Sequence, residues 1–196
     1  MKKLFLLIIS MFIISIYAQD NIINGSVLKN SETYFISMLN TYRLKHNLNS
    51  LEQTDKLWKW SYDQSYYEAN LHKLHLQNGF FNYIGGHTQD IDIPDWEEQD
   101  RTNIPLKIRP LVRENVAVFW EKEIYPKKPF WNNEKEIAKE FLNAWIASKG
   151  HNETLLDPDS EVISVCFYKT EIFVAKQKGI KYNVVIIAAT LNMGIF

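Results

Sequence analysis

Apolar positions in the first half of the chain recur at helical spacing. Phe35, Met38, Leu39 and Tyr42 fall three or four residues apart, which predicts a helix from Ser31, with Ser31 as its cap. The segment "HNLNS" breaks it. Thr54 is placed to cap a second helix that reaches Leu76, with Leu57, Trp58, Ser61, Ser65 and Ala69 on one side. A third helix is predicted from Asn133 to Ser148, because Ile137, Phe141 and Trp145 repeat every four residues. Gly150 reads as its stop.

Towards the end of the chain the period changes. "VISVCFY", "EIFVAKQ" and "NVVIIAATLNM" are β-branched and aromatic runs separated by turn-like stretches, the pattern of strands. "RENVAVFW" reads equally as a short helix or a strand. Helices first and strands last predict an α+β domain with helices packed on an antiparallel sheet. No internal repeat and no second domain are visible, and the single domain is expected over residues 31–196.

Residues 77–111 interrupt this order. They hold the turn-rich "NGFFNYIGG", six acidic residues between Asp90 and Asp100, and two prolines in "NIPLKIRP". This predicts one long surface insertion, a class of loop that is uncommon and often functional. The acidic run reads as a solvated face, since the glycine and the spacing of a calcium loop are missing.

The N-terminus changes the picture of where the protein works. Lys2 and Lys3 precede a 14-residue apolar run, Leu4 to Tyr17, which is too short to span a bilayer comfortably. Residues 1–18 are expected to be a secretory signal peptide, with cleavage before Gln19 and a polar tail over 19–30. A retained anchor is the alternative. No cysteine follows the run, which excludes a lipoprotein anchor. The protein is expected to be secreted, in the periplasm or outside the cell, with no transmembrane span once the signal is removed.

Cys166 is the only cysteine, so no internal disulfide can form and the core alone must hold the fold. That favours a bacterial envelope or secreted protein. The hydrophobic fraction of 46% is enough for such a core. The net charge of −1 gives no global field that steers the protein to nucleic acid or an anionic membrane, and the scattered basic residues give no footprint for nucleic acid.

Three segments offer chemistry: "KLHLQNG" with His75, "RENVA" with Glu114, and "WIASKGH" with Ser148 and His151. Two imidazoles and a carboxylate suit a divalent metal such as zinc, or general acid–base work. The bland alternatives are a histidine favoured at a helix C-terminus for His151, a surface carboxylate or cap for Glu114, and an exposed helix-end histidine for His75. His46, His72 and His87 share that last default. Ser148 with His151 can be drawn as a nucleophile–base dyad, but no local residue is placed to orient the histidine. Cys166 lies in an apolar strand pattern and reads as a packing residue. There is no nucleophile elbow, phosphate-binding loop or dinucleotide fingerprint.

Taken together and in this order, these segments resemble the CAP superfamily, the SCP-like group of cysteine-rich secretory, antigen 5 and pathogenesis-related 1 proteins. "MLNTYRLKHNLNSLEQTDKLWKWS" is similar to the family's first two helices, with Asn40, Arg43 and Leu51 at motif positions. "RENVAV" resembles its G-E-N-[IL]-A motif, with Arg113 in place of glycine. "WIASKGHNETLLDP" resembles the bacterial W-x-x-S-x-x-H-x-x-x-L form. The resemblance covers about residues 31–193 and implies a CAP-type α-β-α sandwich with a central cleft. It further implies Glu114 as the first acid of that cleft and His151 as its second histidine. The other histidine is His75, with His87 and then His72 as the alternatives. The second acid is replaced by Ser148.

With one carboxylate lost, the expectation is a weak zinc-type site of His75, Glu114 and His151, or none. The expected function is a secreted, non-enzymatic binder of a small-molecule, lipid or glycan ligand in the cleft. Phe80, Phe81, Tyr83 and Trp96 of the insertion either add apolar contact surface or simply pin the insertion to the body. The alternative function is a hydrolase using the His/Glu site directly or through a metal-bound water.

Overall fold

A computed structural model describes residues 24–81, 112–122 and 132–195, and every structural statement concerns these residues. Their elements are β1 (Gly25–Val27), α1 (Lys29–Lys45), β2 (Glu52–Gln53), α2 (Trp58–Gln77), β3 (Val112–Lys122), α3 (Glu134–Ala147), α4 (Lys149–Leu155), β4 (Val162–Thr170), β5 (Phe173–Gln177) and β6 (Ile180–Gly194). The proposed signal peptide, the acidic run, His87, Tyr83 and Trp96 lie outside the described residues.

The sheet runs β1-β4-β6-β3. Its long pairings are antiparallel, with β3 along β6 from Val112↔Gly194 to Lys122↔Val184 and β4 along the other side of β6. β5 forms a hairpin with β6, and the two-residue β2 adds a short parallel pairing to β4. The sheet has one apolar cluster on each face. On one face Phe35 and Leu39 of α1, Ile137, Phe141 and Trp145 of α3, and Leu155 of α4 pack on Ile163, Val165, Phe167, Ile187 and Leu191. On the other, Ala69 and Leu76 of α2 pack with Val118, Tyr168, Ile186 and Ala188. The architecture is therefore α+β, three layers deep, as the order of the sequence patterns implied.

"RENVAVFW" is a strand. Val118 and Trp120 serve the α2 face, while Ala117 and Phe119 serve the α1/α3 face. A strand covered on both faces loses the apolar/polar alternation that would have identified it in the sequence.

Several expected boundaries are corrected. Ser31 does not cap α1: the helix starts at Lys29 behind Leu28, and no side chain caps it. Ser31 is instead a buried tie between helices. Its N–H donates to Glu134 Oε2 at 3.0 Å and its hydroxyl to the Glu134 carbonyl at 3.0 Å, so α1 and α3 start side by side. Thr54 does not cap α2, which begins four residues later, behind Leu57. Its hydroxyl accepts from Lys56 N–H at 3.3 Å, within the turn before the helix. Asn133 does cap α3, accepting from Lys135 and Glu136 N–H. Gly150 does not stop that helix. The break is at Ser148, whose ψ of 120° is extended, and Gly150 lies inside α4.

The residues that carry the resemblance in α1 are structural. Asn40 exchanges two hydrogen bonds with the Leu51 backbone, at 2.8 and 3.0 Å, and so shapes the turn after the helix. Arg43 is fully buried. Its Nε donates to the Asn49 carbonyl at 2.9 Å, and its Nη1 to those of Leu155 at 2.8 Å and Asp157 at 3.1 Å. One side chain thus fixes the end of α4 against α1, and the carbonyls it binds offset the cost of burying its charge.

Candidate functional site

β3 is an edge of the sheet, and α3 and α4 stand beside it. Between them runs a groove of about 390 Å³ lined by Val116, Ala117, Val118, Phe119, Trp120, Ala144, Trp145, Ser148 and His151. Five consecutive residues of one strand line it, so the groove follows the edge of β3. Most of the lining is apolar. The polar side chains are Ser148, at the corner between α3 and α4, and His151 in the first turn of α4.

This placement follows from local sequence. Trp145 is the last buried residue of α3 and packs edge-on to Phe35 with ring centroids 5.2 Å apart, which fixes where the helix ends. The extended Ser148 then turns the chain into α4. Besides Arg43, two more side chains tie α4 in place: Tyr42 Oη donates to Asn152 Oδ1 at 3.0 Å, and Asn115 Nδ2 donates to the His151 carbonyl at 3.0 Å. Asn115 follows Glu114 on β3, so "RENVA" and "SKGH" are joined by a direct hydrogen bond. Arg113 adds a second link, its Nε donating to Asp157 Oδ2 at 2.9 Å. Burial works to raise the Asp157 carboxyl, but hydrogen bonds from Ser160 and Arg113 and the Arg113 charge overcome it and hold the group below its usual range. Arg113 therefore has a role, bracing β3 against the segment after α4.

His151 does not sit at a helix C-terminus, as its bland reading required. It lies near the start of α4 because the chain re-enters a helix at Lys149. Glu114 is half-buried on β3, opposite Asn192 of β6, and does not line the groove. His75 is in the last turn of α2, with its ring 6.2 Å from that of Phe80 and its Nδ1 buried without a hydrogen-bond partner. It too lies outside the groove lining. Among the described residues, no group of three His, Cys, Asp or Glu side chains is placed to hold a metal ion.

His72 departs from its default as an exposed histidine. It is buried in α2, with Nδ1 2.8 Å from the Glu68 carbonyl and 3.7 Å from Glu68 Oε2. Glu68 is fully buried and accepts from Gln64 Nε2 at 3.1 Å. Sequence reasoning missed Glu68. The available signal was its position four residues from both Gln64 and His72, which puts all three on one side of the helix. Cys166 is confirmed as a packing residue: burial, and then the Glu32 carboxylate, push its thiol far up, so it stays protonated. Phe81 packs on Trp120 and Tyr182, at 5.5 and 6.4 Å between ring centroids, while Phe80 is exposed.

No protein-family model matches the chain, and no curated protein matches it. Solved structures do. An outer surface protein from Borrelia burgdorferi is 21% identical, with 87% of this chain and 99% of that one covered and a TM-score of 0.47. An extracellular protein containing an SCP domain from Bacillus anthracis is 15% identical, with 86% and 41% covered and a TM-score of 0.40. A cysteine-rich secretory protein from Staphylococcus aureus is 13% identical, with 82% and 38% covered and a TM-score of 0.38. The chain therefore spans about two fifths of the length of the last two. In its α+β layering it is similar to these bacterial SCP-domain and cysteine-rich secretory structures.

Proposed function

We propose that this is a secreted, non-enzymatic binding protein whose ligand lies in the groove between β3 and the α3–α4 corner. One observation carries the reading: a groove of about 390 Å³ whose lining is apolar along Val116–Trp120, Ala144 and Trp145 and polar only at Ser148 and His151. A mostly apolar wall with a few convergent polar groups is the composition of ligand sites in general. It suits an elongated amphipathic molecule, with its apolar body along β3 and its polar head at Ser148 and His151. Export is supported by the N-terminal basic and apolar pattern, and no described helix is long and apolar enough to cross a membrane.

A long-chain carboxylate such as dodecanoate is a suitable probe. Titration followed by tryptophan fluorescence should saturate, because Trp120 and Trp145 line the groove. His151→Ala should weaken binding by about tenfold, the loss of one hydrogen bond to a charged group. No saturable change in the parent, or equal affinity in the variant, defeats the proposal.

A further inference from the structure

The β5–β6 hairpin lies away from the groove and has a different surface chemistry. Its turn is Lys178-Gly179, with φ of 50° and 82°, the tight two-residue connection in which both central residues are left-handed. Lys176 pairs with Lys181 across the hairpin, and Gln177 with Ile180. Lys176, Lys178 and Lys181 are exposed, and none of them makes an ion pair among the described residues. From Ile172 to Phe196 the sequence has no Asp or Glu; the nearest acid before it is the exposed Glu171.

Large apolar side chains stand in the open among these cations. Ile172, Val174 and Ile180 are each more than half exposed, at 55%, 52% and 57%. The end of α2 packs on the opposite face of the hairpin, that of Phe173, Ala175 and Tyr182. A Cβ on Gly79 would lie 3.5 Å from the Lys176 carbonyl, so the neighbouring Phe80, 64% exposed, stands beside the hairpin. Lys73, 5.8 Å from the Phe173 ring, lies on that opposite face too.

We propose that the hairpin tip, with Ile172, Val174 and the three lysines, forms a docking surface for an anionic phospholipid membrane. The charge is complementary: three lysines, Lys176, Lys178 and Lys181, gather at the hairpin tip of a chain whose net charge is −1. Open apolar side chains interleaved with lysines match an interface where headgroups are negative and the layer beneath is apolar. A fold under no such demand would blunt an exposed apolar patch with mixed charge, and among the described residues of the hairpin beyond Glu171 every charge is positive.

The test is sedimentation of the full chain with vesicles of phosphatidylcholine alone and with one third phosphatidylserine. The N-terminal stretch, with Lys2 and Lys3, is the same in every protein compared, so the readout is the difference in anionic excess between the parent and the hairpin variants. That excess should be present at low salt and lost at high salt. Each of Lys176→Gln and Lys181→Gln should reduce it by about fivefold. Val174→Ser with Ile180→Ser should lower the binding that survives moderate salt. Lys135→Gln with Lys139→Gln, on α3, should change nothing, and thermal melting should show every variant folded. No anionic excess in the parent, or an excess unchanged in the Lys176 and Lys181 variants, overturns the proposal. Ala144→Phe in the groove should leave vesicle binding intact, which keeps this surface distinct from the groove.

Discussion

The helices on the two faces of the sheet are buried by different means. α3 buries Ile137, Ala138, Phe141, Leu142 and Trp145. α2 buries Ser61, Ser65, Glu68, Ala69, His72 and Leu76. The first interface is held by apolar area. The second includes a polar seam: Asn192 Nδ2 donates to Ser61 Oγ at 3.0 Å, Ser65 Oγ to the Cys166 carbonyl at 3.0 Å, and Glu68 is tied to Gln64. Such a seam adds little net stability while it is intact. It is costly when one partner is removed, because the other is left buried and unsatisfied.

The largest effect should therefore come from the apolar side. Phe141 is fully buried against Phe119, Trp145 and Phe167. Phe141→Ala should cost about 3–5 kcal/mol in urea unfolding. A cost below that of the polar variants would mean the contrast between the faces is drawn wrongly. Ser61→Ala should cost about 1–3 kcal/mol, since the Asn192 amide loses its acceptor where water cannot replace it. The double variant Ser61→Ala with Asn192→Leu should recover much of that loss, which a merely apolar interface would not show.

The corner beside the groove gives a smaller effect with a pH signature. Asp157 has a folded-state pKa held below its usual 3.8. Its stabilisation is therefore present above pH 3.8 and is lost as pH falls through the lower folded value. Asp157→Asn should cost about 1 kcal/mol at neutral pH, discounted because the Arg113 side chain is largely exposed. That cost should vanish in acid. An equal cost at all pH values would show that the carboxylate charge is not what matters.

The smallest effect has the opposite sign. Gly150 has no positive φ, and a Cβ there would meet nothing within 4 Å. Gly150→Ala should raise stability by about 0.5–1 kcal/mol. Destabilisation would restore the reading of Gly150 as a helix stop.

The same contrast explains what was legible in the sequence. Apolar spacing announced α1 and α3, and β-branched runs announced β4, β5 and β6, because burial of apolar area leaves a periodic trace. The trace fails where burial is polar. His72 was assigned an exposed default and Glu68 was missed, since nothing in composition separates a buried carboxylate from a solvated one. Gly150 and Thr54 were misjudged for another reason: glycine and threonine favour several local conformations, and tertiary ties such as Tyr42 to Asn152 selected among them. Of the candidate residues, Ser148 and His151 line one groove. The wall from Val116 to Trp120 was hidden by the helix-or-strand ambiguity of β3. Glu114 and His75 stand outside that groove, and His87 lies outside the described residues.

The central claim is that the groove along β3 is a binding site. Calorimetric titration of dodecanoate into the parent and into Ala144→Phe tests it most directly, because the added ring fills the groove beside Trp145 from a half-buried position on α3. The account predicts saturable binding to the parent and a loss of at least about tenfold in the variant, with unchanged thermal stability. Equal affinity in the two proteins would contradict it.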